Sequence, residues 1–428
     1  MQPLRLLPVC LLTLTLVLNG RGRAAGPADL PLWSVRAGLP HVFAKLDRGD
    51  AVRIAYLGGS ITAQPGWRPK TLAWFQQTFP AAKVSEINAA IGGTGSDLGV
   101  FRLQHDVLSH QPDLLLVEFA VNDGGAPPAQ IHRAMEGIVR QTWQAGATID
   151  IAFVYTIAGD MLATLKRGEL PRSVAAMEEI AAWYAIPSVN FGVEVAREEA
   201  AGRLRFEGPL PRTEAEKAAA GDRLVFSPDG VHPYPETGHE LYLRVAVAAF
   251  EAMRSVGGSG PHELKAPRVP DHLAAAKMIP LSRVRRSAGW EQLTATNRLV
   301  QSFGQRLPEL WRANQPGERL TFRFRGTTAG VYDLVGPDCG QVIVRLDDRP
   351  PVTVPRFDAF CTYHRLASFF ALRDAPEATH DVVLELHPDQ PDKRTILARR
   401  QEKMDDPKRY DDRAWYAGAL LLVGDLID

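Results

Sequence analysis

Cysteine is scarce: three occur in 428 residues, and one of them, Cys10, lies in an N-terminal apolar run. The other two, Cys339 and Cys361, are too few to staple a small disulfide scaffold. Their spacing is not that of a zinc site, and none of the 11 histidines is expected to form a ligand cluster with them. They read as one disulfide within a second domain or as two buried thiols. An excess of charge is also missing. Lys+Arg 49 balances Asp+Glu 49, so there is no polybasic footprint for nucleic acid or for an anionic membrane surface. Past the first 18 residues no long apolar run occurs, which argues against stable membrane insertion.

What is present begins with an address. Met1 to Arg5 make a short basic start, Leu6 to Leu18 have the length of a signal-peptide apolar region, and Arg23-Ala24-Ala25-Gly26 offers small residues for cleavage. We expect a signal peptide over 1–25 and a secreted or periplasmic protein. The length suits two domains plus appendages.

From Ala51 to about Met253 apolar runs alternate with helical patterns. Strands are expected at Val52 to Leu57, Val84 to Asn88, Leu114 to Phe119, Ile151 to Thr156 and Pro187 to Asn190. Helices are expected near Pro69 to Thr78, Leu98 to Ser109, Pro128 to Gln144, Ser173 to Tyr184 and Glu236 to Arg254. This predicts a three-layer α/β/α parallel sheet over 30–255. A Gly/Pro-rich stretch, 256–284, reads as a linker. Beyond it Leu320 to Arg325, Gln341 to Leu346 and Asp381 to His387 alternate apolar with polar, and Ala417 to Gly424 reads as a central strand. An all-β jelly-roll-like sandwich is expected over 285–428.

The most informative residue is Ser60, on the glycine-rich turn Gly58-Gly59-Ser60 directly after an apolar strand. Downstream, Ser227-Pro228-Asp229-Gly230-Val231-His232 supplies an acid and an imidazole three residues apart. Between them Glu118-Phe119-Ala120-Val121-Asn122-Asp123 ends a strand on an amide. A serine hydroxyl is a poor nucleophile, so it needs a base within reach, and the base needs a third group to hold its tautomer. His232 and Asp229 fit those roles. A tetrahedral intermediate also needs donors for its oxyanion, which Asn122 and the N–H groups of Ser60 and of the Asn88 to Gly95 loop would supply. Each piece alone has an ordinary reading as turn or helix cap. Their co-occurrence, each at a strand end or just before a helix, favours catalysis.

In order and spacing these blocks resemble the SGNH (GDSL-type) hydrolase superfamily over roughly residues 50 to 255. The resemblance implies a flavodoxin-like sheet, a triad of Ser60, Asp229 and His232, and an oxyanion hole of Ser60, Gly93 and Asn122, with no cofactor and no metal. Gly93 is taken over Gly92 or Gly95 by its distance from Asn88. One departure stands out: the usual Gly-Asp-Ser is Gly58-Gly59-Ser60 here. The second domain is similar in pattern to galactose-binding-like modules appended to carbohydrate-active esterases.

The implied activity is removal of short acyl groups, O-acetyl foremost, from a carbohydrate or other small ester. Alternatives are an O-acetyltransferase with the same triad, a lipid esterase or thioesterase, and a glycan-binding protein on an inactive scaffold. Trp67 is a candidate sugar-stacking platform or a core tryptophan. Arg203 to Arg223 reads as a solvated excursion, with a flap over the site as the other reading. Arg102, His105 and Asp106 share a helix turn and are expected to pair with one another or with solvent. Tyr332, Tyr363, His364 and Trp415 are candidates for stacking on sugars or for packing.

Overall fold

Short apolar runs bounded by turn residues build the first layer. The computed structural model describes residues 26–258, 260–404 and 406–427, so the signal-peptide reading of 1–25 lies outside the described residues. Strands β1 (Trp33–Ser34), β2 (Ala51–Gly58), β3 (Lys83–Asn88), β4 (Leu114–Glu118), β5 (Asp150–Tyr155) and β6 (Ser188–Asn190) form one sheet in the order β1-β6-β5-β4-β2-β3. All neighbours are parallel except β1, which pairs antiparallel with β6. The parallel part has the flavodoxin-like order, with β2 flanked by β3 and β4. β4 reads Leu-Leu-Leu-Val-Glu and is buried at every position. That is the pattern of a strand covered on both faces.

The covering helices are α1 (Pro40–Arg48), α2 (Ser60–Ala63), α3 (Trp67–Thr78), α4 (Ser96–Asp106), α5 (Pro128–Ala145), α6 (Gly159–Lys166), α7 (Arg172–Trp183) and α8 (Phe191–Ala200). α1 starts on Pro40 and stops at Gly49, whose φ of 78° is the left-handed conformation of a glycine C-cap. β7 (Leu204–Glu207) and β8 (Leu224–Ser227) pair in parallel, with the exposed helix α9 (Glu214–Ala220) between them. The Arg203 to Arg223 segment is therefore a solvated excursion at its tip and a strand at its base. α10 (Gly238–Arg254) closes the layer, packing on α3, α8 and α1, while α4, α5 and α7 pack in sequence as a second group.

The stretch read as a linker is held along its course. The N–H groups of Arg268 and Val269 donate to the two carboxylate oxygens of buried Glu136 on α5, and His262 N–H donates to Ala147 O. Leu273 is buried, and β9 (Ala276–Pro280) already belongs to the second sheet. The β layer thus begins ahead of residue 285, because β9 pairs with the last strand of the chain.

That layer comprises β9, β10 (Arg285–Arg286), β11 (Glu291–Gln292), β12 (Trp311–Ala313), β13 (Arg319–Val335), β14 (Gln341–Leu346), β15 (Val352–Pro355), β16 (Arg365–Leu372), β17 (Ala378–Leu386) and β18 (Trp415–Ile427), with α11 (Arg298–Phe303) and α12 (Lys393–Ala398) in its connections. These strands pair antiparallel, and Cys339 and Ala414 add an isolated parallel bridge outside them. β13 pairs with β17 up to Gly326 and with β16 from Ala329, so one long strand serves both halves of the sandwich. A Cβ on Gly326 would stand 2.2 Å from the Val423 carbonyl, which explains glycine at that crossing.

Alternation along β13 and β18 joins the two layers. Val331, Leu420 and Leu422 face the sandwich core, whereas Tyr332, Leu334, Ala419 and Leu421 belong to the core of the α/β layer. Successive strand residues point to opposite faces. A strand buried on both sides therefore reads as the continuous apolar run Ala417 to Val423.

Candidate active site

The reversal of strand order beside β2 opens a crevice at the carboxyl ends of β2, β3 and β4. Ser60 leaves β2 as the first residue of α2, Gly92 and Gly93 lie in the loop after β3, and Asn122 lies in the loop after β4. The structure brings these together with the loop that precedes α10. Ser60 Oγ lies 2.8 Å from His232 Nε2, and His232 Nδ1 lies 2.8 Å from Asp229 Oδ2. Asp229 Oδ1 also accepts the N–H groups of His232 (2.8 Å) and Val231 (3.0 Å) and the Ser227 hydroxyl (3.1 Å). Partial burial pushes the Asp229 carboxyl up, but the His232 ring and these donors outweigh it and hold it well below the usual carboxylate range. The acid therefore stays ionised and its turn fixes the imidazole. Gly230, at φ 76°, provides the left-handed residue of that turn.

The departure at Gly59 has a steric reason. A Cβ there would stand 1.9 Å from Asn122 Oδ1, so the missing side chain leaves the space that the amide fills. Beneath the same turn lies Glu118, which is buried. Its carboxylate accepts the hydroxyls of Thr62 and Thr156, each at 2.7 Å, and the Gly59 N–H. Burial raises its carboxyl against those three donors. Sequence reading took Glu118 only as part of a strand. A charged residue ending an otherwise apolar buried strand is the signal that points to it.

The loop after β3 shows which glycine faces the serine. A Cβ on Gly92 would lie 3.5 Å from Ser60 Cβ, whereas one on Gly93, at φ 73°, would meet nothing within 4 Å. Gly92 thus approaches Ser60 and Gly93 makes the left-handed turn. The N–H groups of both have no acceptor among the described residues. Asp123, next to Asn122, accepts the Ser96 N–H at the start of α4 (3.0 Å), and its other oxygen is buried without a partner. Burial lifts its carboxyl to about 7, against the hydrogen bonds from Ser96.

Other candidates are placed elsewhere. Trp67 is fully buried, edge-on to Tyr56 and Phe191, and has no surface to offer a sugar; it is a core tryptophan. Tyr332 and Trp415 are likewise buried, because both stand on two-sided strands of the β layer. Tyr363 is exposed, and His364 pairs with Asp338 at 2.7 Å. Arg102, His105 and Asp106 do pair: Asp106 accepts from Arg102 and from His105, each at 2.7 Å. His239 is buried, its Nδ1 accepting the Trp67 N–H and its Nε2 facing Gln64, so it does not turn to Ser60.

Cys339 and Cys361 are free and buried, and burial pushes the Cys361 thiol up to about 12. Contrary to the reading that no histidine joins them, donor atoms of Asp338, Cys339 and His364 lie within 4.8 Å of one another, as do those of His41, Asp150 and His262. The β layer's fold causes this, since the segment entering β16 brings His364 back beside the turn at Asp338. In both groups the aspartate is hydrogen-bonded to a histidine.

Among the described residues, two of the hollows bear on the excursion and on the loop after β3. A cavity of about 730 Å³ sits within the excursion, lined by Arg205, Leu210, Arg212 and Glu216 and by none of the site residues. A cleft of about 330 Å³ separates Gly93 to Gly95 from Arg356, Asp358, Arg365 and Ser368 of the β layer. No helix among the described residues is long and apolar enough to cross a membrane.

A flavodoxin-like sheet with a serine, an imidazole and N–H donors that have no acceptor among the described residues, all converging at its switch point, has the parts that nucleophilic acyl chemistry requires. Residues 56–241 match the model of the GDSL-like lipase/acylhydrolase family, and that match supports an ester-hydrolysing enzyme. Among solved structures the chain is similar to a two-domain esterase active on acetylated mannans, co-crystallized with mannopentaose. That likeness covers 90% of this chain and 95% of the other at 21% identity and a TM-score of 0.68. A second structure of a two-domain esterase active on acetylated mannans matches at 21% identity and a TM-score of 0.69, over 90% and 96% of the two chains. An acetyl xylan esterase from Geobacillus stearothermophilus matches at 18% identity over 49% of this chain and 97% of its own, with a TM-score of 0.35. No curated protein sequence matches the chain.

Proposed function

We propose that this protein is an exported serine esterase that removes short acyl groups, O-acetyl foremost, from a carbohydrate. The observation that carries the reading is the unbroken chain from Ser60 Oγ through His232 to Asp229, at 2.8 Å in each step. In this reading Ser60 Oγ attacks the acyl carbonyl while His232 Nε2 takes its proton. The oxyanion forms beside the Asn122 amide and the N–H groups of Ser60 and of Gly92 or Gly93. His232 then returns the proton to the departing sugar oxygen, leaving an acyl-serine. Water attacks that ester with His232 again as base, releasing the acid and restoring Ser60.

Two features support a sugar over a long acyl chain. The cleft beside the proposed oxyanion loop is walled by Arg356, Asp358, Arg365 and Ser368, and the two-domain relatives with the same overall fold act on acetylated mannans. Water as the acceptor is favoured by access, since the side chains of His232 and Asp229 are 33% and 50% exposed. Export rests on the basic, apolar and small-residue pattern of the first 25 residues.

The test is acetate release by the full chain, beside Ser60→Ala, from acetylated mannan, xylan, pectin and monosaccharide esters, with a long-chain lipid ester included. Ser60-dependent release from one glycan is the expected result. Cleavage of p-nitrophenyl acetate without release from any glycan would turn the reading toward another acyl donor or toward transfer.

A further inference from the structure

We propose that Arg306 of the β layer is a positioning residue for the oxyanion loop, so that this layer acts on the turnover of esters too small to touch it. The inference rests on the esterase reading and deepens it. The loop after β3 is held peptide by peptide. The plane between Asn88 and Ala89 is tied at both ends: its N–H donates to Tyr56 O at 2.9 Å, and its carbonyl accepts Arg306 Nη2 at 2.5 Å. The next plane is tied likewise, its N–H to Asn88 Oδ1 at 3.1 Å and its carbonyl to Arg102 Nη1 at 2.5 Å. Ile91 N–H then donates to Gly58 O, on the strand that delivers Ser60. With those groups engaged, the N–H groups of Gly92 and Gly93 are left for a substrate. Fixed donors stabilise a developing oxyanion without reorganising at the moment of reaction.

The two guanidiniums share one buried anchor. Asp106 Oδ2 accepts Arg102 at 2.7 Å and lies 3.8 Å from Arg306 Nη1, and its Oδ1 accepts His105 at 2.7 Å. Arg102 and Asp106 are fully shielded from solvent, so electrostatic interaction within the group is little screened. Arg102 comes from α4 of the catalytic domain itself. Arg306 comes from the other layer, on the turn after α11. That turn is pinned by Leu307, which is buried against Gly418 of β18; a Cβ on Gly418 would collide with Leu307 Cδ2 at 2.5 Å. The path from β18 to the loop thus runs through three contacts: Gly418 to Leu307, Leu307 to its neighbour Arg306, and Arg306 to Asn88.

A second contact between the layers supplies an internal control. Arg373 pairs with Asp97 at 3.0 Å and lies over Phe370, whose ring meets Phe101, but neither Arg373 nor Phe370 bonds a loop carbonyl. If the layers merely adhere, the two arginines should matter alike. If Arg306 positions the loop, they should differ.

The experiment compares full-length Arg306→Gln, Arg306→Lys and Arg373→Ala with wild type by three readouts. These are kcat and KM on p-nitrophenyl acetate, the thermal midpoint, and backbone hydrogen exchange over residues 88–95. Arg306→Gln is expected to lower kcat by about 10- to 10²-fold with KM nearly unchanged, as for a group displaced from its productive geometry. It should also speed exchange in that loop while leaving exchange in β18 as in wild type. Arg306→Lys should recover part of the loss, and Arg373→Ala should keep wild-type kcat and loop exchange. Wild-type kcat and loop exchange in Arg306→Gln, or equal losses in Arg373→Ala, would overturn the proposal. If wild type shows no Ser60-dependent ester cleavage, the esterase reading fails by itself, and the exchange data still decide whether Arg306 holds the loop.

Discussion

Among the described residues five histidines rest on an aspartate at 2.7 to 2.8 Å: His105 on Asp106, His232 on Asp229, His262 on Asp150, His364 on Asp338 and His380 on Asp347. The pair in the α/β crevice and the Asp338–His364 pair in the β layer make the most useful contrast. In the first, the imidazole holds the carboxylate with Nδ1 and meets Ser60 Oγ with Nε2. In the second, Nε2 itself is spent on Asp338, whose other oxygen accepts the Tyr416 hydroxyl at 2.6 Å. The carboxylate–imidazole unit is common to both regions. What separates a base from a brace is whether the far nitrogen meets a nucleophile.

The sharpest break of that comparison is to delete each imidazole. His232→Ala, like Ser60→Ala, should lower kcat on an acetyl ester by about 10⁴-fold or more. His364→Ala should leave kcat unchanged on a small soluble ester and cost about 0.5–1.5 kcal/mol of stability, read by urea unfolding, because it removes one hydrogen bond from the partly buried Asp338, which keeps the Tyr416 hydroxyl. Equal activity losses would erase the distinction drawn here.

Asn122→Ala should come next, at about 10²- to 10³-fold in kcat, the scale for one oxyanion donor. Gly59→Asp installs the side chain that the family's usual motif carries. Since its Cβ would enter the space of Asn122 Oδ1, kcat should fall by about 10²-fold, the order of loss from a displacement near 1 Å. Undiminished turnover in Gly59→Asp would show that Asn122 moves aside without cost.

The smallest expected effect concerns pH. Burial holds the Asp123 carboxyl at about 7, so the folded chain keeps a proton that an unfolded aspartate loses near pH ~4. Stability from this group is complete below the unfolded value and is lost as pH rises through 7. Asp123→Asn keeps the acceptor for Ser96 N–H and removes the titration. Thermal midpoints measured from pH 4 to 8 should therefore show wild type falling progressively behind the variant; parallel curves would refute the raised value.

The class of fold was legible in the strand runs Val52 to Leu57 and Leu114 to Phe119 and in the helical pattern of Pro128 to Gln144, since a buried parallel strand and an amphipathic helix each print their period on the chain. The helices at Pro40–Arg48 and Phe191–Ala200 were passed over. Their signals, a proline start with a glycine stop and a short apolar face, are weak beside the strands they follow. Ser60, Asn122, Asp229 and His232 were legible because each lies in a short block with its own turn residues. Glu118, Asp123 and Arg306 were not, because their partners are remote in sequence: Thr62 for Glu118, Ser96 for Asp123 and Asn88 for Arg306.

By itself, the sequence determined the order of strands and helices, the Gly58-Gly59-Ser60 turn and the Asp229–His232 turn, all of which depend on residues a few positions apart. Only the tertiary structure decided which of five imidazoles faces a serine, that Trp67, Tyr332 and Trp415 are packing residues, and that Arg306 reaches the loop after β3. Those outcomes depend on which long-range surfaces are buried together, and burial is a property of the packed chain that no local pattern encodes.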